Sequence, residues 1–433
     1  MQAIIRTRAT ATVDTERRFA RRIDRWVLDA ARRGLTAFDD LVVSLPGVYP
    51  VAVLDALRRL ASSGALSPLI LARAVEDAGR RPPLQPHICH RIALPVPHPL
   101  DYDWRFGEAA INRVLGECLG LTGPTDTVAL LGTPSIMRAV VERDYPRRTL
   151  LLDRNVVPGL VTSVRSGDAV VRCDLRGDPL PNVSASVVVL DPPWYGEDMR
   201  AFLWAAHRLC TVKGHVLMSV PPVGTRPGVA GERARLSGWA RALGFVPVRT
   251  LVSALPYVSP LFERNALRAE GVYAVPPEWR CGDLVVLVRE HARILSRPWE
   301  WTETDEMGGW VEDVLHGVRI RVRRSAPSGD MALSLLPCVP SDILPSVSRR
   351  DARRRSADVW TSGNRIFRCR DPYAFASIMR GLATDRDPCD EVSAAIGRQV
   401  TPAEAALISA VARKVRRIVD LERAEVTLFG GDG

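Results

Sequence analysis

Val187-Val188-Val189-Leu190-Asp191-Pro192-Pro193-Trp194-Tyr195 runs four apolar residues, three of them β-branched, into an acid, two prolines and two aromatics. This is the pattern of a fully buried parallel strand that ends abruptly in a rigid loop. In an open α/β sheet, ligands bind at such carboxyl ends. The paired prolines fix φ and forbid further ladder pairing, so Asp191 and the Pro192 carbonyl are held still. Together they can accept the two N–H hydrogens of a planar amine, while Trp194 stacks on its ring and Tyr195 completes the loop. The plain structural alternative is a Pro-Pro strand terminator with a packed tryptophan.

The preceding segments keep the same rhythm. Thr127 to Leu131 is a buried strand, Gly132 its turn, Thr133 an N-cap and Pro134 a first helical residue, followed by Ser135. Thr149 to Leu152 is a second strand ending in Asp153, placed about twenty residues after the glycine, where a dinucleotide-type fold hangs the acid that holds ribose hydroxyls. Ala169 to Cys173 is a third, closed by Asp174-Leu175-Arg176. After Leu190 come strands over His215 to Val220, Phe245 to Leu251 and Asp283 to Val288, with helices over Met199 to Cys210 and Arg233 to Leu243. Seven strands interleaved with helices predict a Rossmann-like α/β domain with a mostly parallel sheet.

The chain has 433 residues, 46% hydrophobic and 25% charged, enough for two or three domains and a large core. No apolar run approaches the roughly twenty residues that cross a bilayer, and the first residues lack a signal-peptide core, so a cytoplasmic protein without membrane contact is expected. Eight scattered cysteines predict reduced thiols rather than a disulfide framework. The net charge of +10 rests on arginine, since Lys213 and Lys414 are the only lysines. Arginine suits phosphate and base recognition, whereas a basic protein is a poor host for a polycation.

Residues 1–76 read as one domain, strongly helical over 15–75: helices over Glu16 to Arg33, Phe38 to Leu45 and Val51 to Ala61, a tight turn at Pro46-Gly47-Val48-Tyr49-Pro50 and the sequence Leu60-Ala61-Ser62-Ser63-Gly64 have the cadence of a winged helix-turn-helix that docks a protein partner or touches DNA. Residues 77–106 form a linker in which Tyr102, Trp104, Arg105 and Phe106 are candidates for a lid or for packing. Its cluster His87-Ile88-Cys89-His90, with His98 further on, lacks a fourth ligand and regular spacing, so no metal centre is expected. Residues 107–290 hold the sheet. Residues 291–433 form a basic α+β domain: Val318 to Arg324 alternates as a strand with one basic face, Ser346 to Arg355 is a basic loop, and Trp360, Asn364 and Arg365 complete a groove suited to phosphate and base. Phe262, Glu263 and Arg264 lie in a loop after the sixth strand and are further candidate substrate contacts. Pro402 to Leu421 is a closing amphipathic helix with a structural or oligomeric part.

Asp191-Pro192-Pro193-Trp194 resembles the signature tetrapeptide of S-adenosylmethionine-dependent amino-methyltransferases, particularly those acting on adenine N6. The order of strands and closing acids is similar to the class I methyltransferase sheet. That resemblance implies S-adenosylmethionine as cofactor, with Gly132, Thr133, Pro134 and Ser135 at its methionine end, Asp153 at the ribose, Asp174 and Leu175 at its adenine, and DNA or RNA as partner. The plan from about residue 15 to 290 also resembles the branched-chain polyamine synthases, which use decarboxylated S-adenosylmethionine. In that family the first strand leads into Gly-Asp-Asp-Asp, where this chain has Gly132-Thr133-Pro134-Ser135. The aminopropyltransferase alternative therefore needs compensating acids, with Glu197, Asp198 and Glu263 as candidates. A third alternative is a non-catalytic scaffold that binds nucleic acid, which the single remaining glycine of the first loop favours.

Overall fold

The computed structural model describes residues 2–80, 90–155, 157–292, 309–327 and 331–429, and within these the side chains from residue 14 to residue 427. His87, Ile88 and Cys89 of the expected cluster lie outside the described residues. The chain divides into two compact units: residues 1–81, 104–259 and 272–301 make the first, and residues 82–103, 260–271 and 302–433 the second. The linear partition into head, linker, sheet and tail is thus replaced by one in which two internal segments join the carboxyl-terminal part.

The first unit begins with four helices: α1 (Gln2–Arg32), α2 (Phe38–Ser44), α3 (Pro50–Ser62) and α4 (Pro68–Gly79). Ile23, Val27, Phe38, Leu41 and Leu57 form their core. Among the described residues of this stretch there is no strand, so the expected wing is replaced by α4. The cause is local: Ser67 caps by accepting from the Leu69 N–H at 3.3 Å, and Pro68 occupies the first turn.

The rest of the unit alternates as β1 (Arg105–Phe106), α5 (Glu108–Leu121), β2 (Thr127–Leu131), α6 (Pro134–Glu142), β3 (Arg148–Asp153), α7 (Pro158–Ser163), β4 (Ala169–Arg172), β5 (Ala185–Leu190), α8 (Gly196–Leu209), β6 (Cys210–Val220), α9 (Val229–Ala242) and β7 (Phe245–Val258), and closes, after α10 (Leu261–Ala269) of the second unit, with β8 (Arg280–Arg289). The sheet has eight strands in the order β1-β7-β8-β6-β5-β2-β3-β4 rather than the seven expected. The additional strand is the Arg105–Phe106 pair, which lies antiparallel to Tyr257 and Val258. Strands β4, β3, β2, β5 and β6 run parallel, and β8 inserts antiparallel between β6 and β7. Ala129, Leu131, Val188, Leu190, Val216 and Met218 pack against Met199, Leu203 and Ala206 of α8 in one buried cluster. The chain reverses its direction of winding at β2, so the crevice between the carboxyl ends of β2 and β5 is the switch point where a Rossmann-like sheet accepts ligands.

The helices are fixed to this sheet within the same unit. A Cβ on Gly47 would lie 2.8 Å from Thr225 Oγ1 and 2.9 Å from Pro222 Cβ, and one on Gly224 would lie 2.8 Å from the Pro46 carbonyl oxygen. The turn between α2 and α3 therefore docks on the loop that follows β6. Arg58 and Arg59, the cations of the expected recognition helix, pair with Asp55 and Asp24.

The second unit has an antiparallel sheet, β11-β13-β12-β10-β9, built from β9 (Trp310–Leu315), β10 (Val318–Arg323), β11 (Leu335–Pro337), β12 (Val359–Thr361) and β13 (Ile366–Cys369). Helices α11 (Pro372–Ala383), α12 (Pro388–Ile396) and α13 (Pro402–Phe429) cover it over a core of Ile320, Val322, Phe367, Phe375, Ile378 and Val415. The former linker is part of this body. Asp101 accepts from Arg319 and Arg321 at 2.8 Å, and His98 sits with Nε2 3.2 Å from the Trp360 carbonyl. Complete burial pushes the His98 imidazole well below its ordinary range, so it is a neutral packing group.

Candidate active site

Parallel pairing aligns the carboxyl ends of β3, β2 and β5. Leu131 stands opposite both Leu152 and Leu190, the Gly132 N–H donates to the Leu152 carbonyl at 2.9 Å, and the Asp191 N–H donates to the Leu131 carbonyl at 3.2 Å. One residue further, the Cys173 N–H donates to the Asp153 carbonyl at 2.9 Å. Gly132, Asp153, Asp174 and Asp191 are thus brought to one edge of the sheet.

Asp191 is half-buried, and its carboxylate is set by a relay through its own loop and two other strands. The Trp194 indole N–H, a donor only, is 3.3 Å from Ser219 Oγ. Ser219 Oγ is 2.6 Å from the Tyr257 hydroxyl, which donates to Asp191 Oδ1 at 2.6 Å. Because the indole cannot accept and Tyr257 spends its hydrogen on Asp191, Ser219 must donate to Tyr257. All the hydrogens of the chain point toward the carboxylate. Burial, then the neighbouring Asp191 charge, pushes the Tyr257 phenol well above its ordinary range. The shift favours the neutral, donating phenol, and Asp191 Oδ1 accepts from it.

The loop is clamped on its other side. Arg226 donates to the Trp194 carbonyl and pairs with Glu232, and the Tyr195 N–H donates to the Pro193 carbonyl at 2.6 Å. No described group donates to the Pro192 carbonyl, so that oxygen remains an acceptor beside Asp191. Trp194 meets Tyr257 edge-on at 5.6 Å and 86°, and Phe106 lies 4.8 Å from Tyr257. Arg280 lies over the rings of Trp104, Trp194 and Trp279 at 5.2, 5.9 and 4.8 Å. Gly282 permits this crowding, since a Cβ there would lie 2.9 Å from Ser219 Oγ and 3.2 Å from Trp194. Of the lid candidates, Trp104 and Phe106 join this corner, whereas Tyr102 belongs to the second unit, where Arg354 donates to its hydroxyl at 3.1 Å.

On the opposite side of Asp191, Gly132 has φ +67°, and a Cβ there would meet the Phe202 ring at 3.0 Å. Thr133 stands at the N-cap position but makes no cap bond; its Oγ1 is buried without a hydrogen-bond partner. Pro134 takes the first helical turn as expected, and Ser135 is buried. Asp153 Oδ1 accepts from the Asn155 N–H at 2.7 Å. Burial would raise the Asp174 carboxyl, but two hydrogen bonds from the Arg176 guanidinium outweigh it and hold the group below its ordinary range. Leu175 is buried. A positive-φ glycine, an orphaned hydroxyl and a fixed carboxylate at the ends of adjacent strands fit the glycine turn, polar end and ribose of a nucleoside cofactor. Asp174 would have to share its carboxylate with Arg176.

The remaining sequence candidates are placed elsewhere. Phe262, Glu263 and Arg264 are on α10, in the second unit, with Phe262 and Glu263 fully buried. Trp360 is 1% and Asn364 0% exposed: the indole N–H donates to Asn364 Oδ1 at 3.1 Å, and Asn364 Nδ2 donates to the Leu344 carbonyl at 2.7 Å. Arg365 is bound to Glu422 and Glu425. These side chains form the interior of the second unit and present no face on which a base could stack. The basic face of β10 is likewise used up, Arg319 and Arg321 pairing with Asp101 and Glu312. Among the acids the aminopropyl alternative requires, Glu197 is exposed, Asp198 is buried in the first turn of α8, and Glu263 belongs to the second unit.

Sequence reasoning missed Tyr257, Ser219, Arg226, Trp279 and Arg280. The local signal was that Ser219, Tyr257 and Arg280 stand at the ends of strands.

No family model and no curated protein matches the chain. Among solved structures it is similar to the branched-chain polyamine synthase of Thermus thermophilus, at 16% identity and a TM-score of 0.47 over 69% of this chain and 98% of that one. It is also similar to a putative RNA methyltransferase of Pyrococcus horikoshii (14%, TM-score 0.32, 45% and 89% covered) and to a methyltransferase of Corynebacterium glutamicum that depends on S-adenosylmethionine (14%, TM-score 0.29, 42% and 89% covered). The functional reading rests on the chain's own residues.

Proposed function

We propose that the protein transfers a methyl group from S-adenosylmethionine to an exocyclic amine on a planar ring, adenine N6 being the amine that the Asp191-Pro192-Pro193-Trp194 loop suits best. The observation that carries the reading is the one-way relay Trp194, Ser219, Tyr257, Asp191, which keeps a carboxylate as an acceptor beside the unpartnered Pro192 carbonyl. Gly132, Thr133 and Asp153 would hold the cofactor, which supplies an electrophilic methyl group when bound. Asp191 and the Pro192 carbonyl accept the two amine hydrogens and so aim the nitrogen lone pair. Placement of this kind can supply several kcal/mol of a barrier, roughly 7 or more in well-oriented systems. No strong base is required: an amine hydrogen becomes acidic only as the N–C bond forms and the methyl–sulfur bond breaks, and the proton then passes to Asp191, which already accepts it, and on to water, the thioether leaving with the bond's electron pair. Arg280 stands in the acceptor corner, where a polyamine would need carboxylates.

Calorimetric titration with S-adenosylmethionine and with its decarboxylated form tests the reading. The carboxylated form is expected to bind more tightly, with binding lost in Asp153→Ala. A preference for the decarboxylated form would favour aminopropyl transfer, and binding of neither by the folded protein would leave the non-catalytic scaffold. Tyr257→Phe removes the hydrogen bond to Asp191 while keeping the ring. It is expected to lower kcat about tenfold with little change in cofactor affinity, and an unchanged kcat would show that the relay does not orient the acceptor.

A further inference from the structure

Several of the arginines that cluster in the carboxyl-terminal sequence are paired off. Arg319 and Arg321 pair with Asp101 and Glu312, Arg353 with Asp351, Arg365 with Glu422 and Glu425, and Arg386 with Glu391. A different surface of the same unit keeps its charge. Along α13, Ile408, Val411, Ala412, Val415, Ile418 and Val419 face the core, and both acids of the last turns, Glu422 and Glu425, are buried with them. Arg413, Arg416, Arg417 and Arg423 are exposed on the opposite face. At 100° per residue they fall within one arc of about 120°, interrupted by a single exposed acid, Asp420. Even the lysine of the helix is turned away: Lys414 Nζ donates to the Leu335 carbonyl at 2.7 Å.

We propose that this outer face of α13 is the surface on which the protein holds the phosphate backbone of a nucleic acid. Arg413 to Arg423 spans about 15 Å of helix, over which one strand of a duplex presents about four phosphates. Guanidinium groups pair bidentately with phosphate oxygens, and the burial of Glu422 and Glu425 leaves the outer face, four arginines against Asp420, complementary to a polyanion. No base-reading group lies in this row, so contacts of this kind fix position and carry no sequence preference.

The inference is read by binding alone and does not depend on methyl transfer. Fluorescence anisotropy with a short duplex DNA and a short single-stranded RNA is measured against KCl concentration for the full chain and for the triple variant Arg413→Glu, Arg416→Glu, Arg417→Glu. The expected result is a loss of affinity of at least tenfold near 0.1 M salt and a log–log salt slope shallower by about three. Asp420→Lys, which removes the interrupting acid, is expected to tighten binding and steepen the slope by about one to two. Absence of nucleic-acid binding by the unaltered chain, or affinity and slope unchanged in both variants, would overturn the proposal. Polyglutamate binding as tightly as nucleic acid would also overturn it, in favour of an acidic protein partner. S-adenosylmethionine titration of the same variants separates this failure from that of the catalytic reading, since cofactor binding should be untouched.

Discussion

Asp191→Ala is expected to lower methyl transfer by about a thousandfold while leaving S-adenosylmethionine affinity within about twofold. The carboxylate is the terminus of a relay whose every hydrogen is directed at it, and alanine leaves the Tyr257 hydroxyl without its acceptor in a buried corner. The amine then loses one of its two acceptors and with it the alignment of its lone pair. The cofactor residues Gly132, Thr133 and Asp153 stand at the ends of β2 and β3, on the other side of β5 from Tyr257, so ground-state binding of the cofactor should not follow the loss. Single-turnover transfer of a labelled methyl group, combined with titration of the cofactor, separates the two effects. Equal losses in both would mean that Asp191 holds the cofactor and does not place the acceptor.

The largest effect on stability is expected from Arg365→Met in the second unit. Arg365 is 4% exposed and binds Glu422 and Glu425, and Glu425 also accepts from Asn265 Nδ2 at 2.9 Å and pairs with Arg268. Removing one member of a buried ionic group leaves uncompensated charge, which costs about 3–5 kcal/mol. A urea titration of the full chain followed by circular dichroism and by its total tryptophan fluorescence would measure it.

Glu422 gives this unit a pH dependence of definite sign. Burial, only partly offset by Arg365, pushes its carboxyl up to about 7 from an ordinary 4.5. The folded form therefore keeps a proton that the unfolded chain releases. Stability is greatest below the ordinary value, falls as pH rises through the window from about 4.5 to about 7, and is level with respect to this group above it. In Arg365→Met the opposing charge is gone, so the fall should be larger in total and extend to higher pH. In Glu422→Gln it should vanish. A Glu422→Gln protein that retains the slope would place its origin elsewhere.

The half of the candidate site nearest the chain's own rhythm was legible before any fold was known. Asp153, Asp174 and Asp191 each close an apolar run, and a parallel sheet necessarily gathers such strand ends at one edge. The other half was not legible. Tyr257 is 66 residues from Asp191, and Ser219 is 25 from Trp194. They meet because β8 inserts between β6 and β7, an adjacency that no local periodicity encodes. The wing failed for a local reason that was present in the chain, since Ser67-Pro68 is a strong helix start.

Arginine-rich segments misled in a different way. Their composition suggested a groove, but whether a guanidinium faces solvent depends on which acid the fold delivers to it. Arg319 finds Asp101 from 218 residues away and Arg365 finds Glu425 from 60. The sequence by itself therefore determined the α/β alternation, the buried strands and the acids at their ends, because strand period, terminators and caps act over a few residues. Only the tertiary structure decided which donors orient Asp191, which arginines are neutralised inside and that a row of exposed ones lies along α13. Those outcomes depend on contacts between groups far apart in the chain, where burial makes an unpaired charge too costly to leave and a paired one invisible from composition.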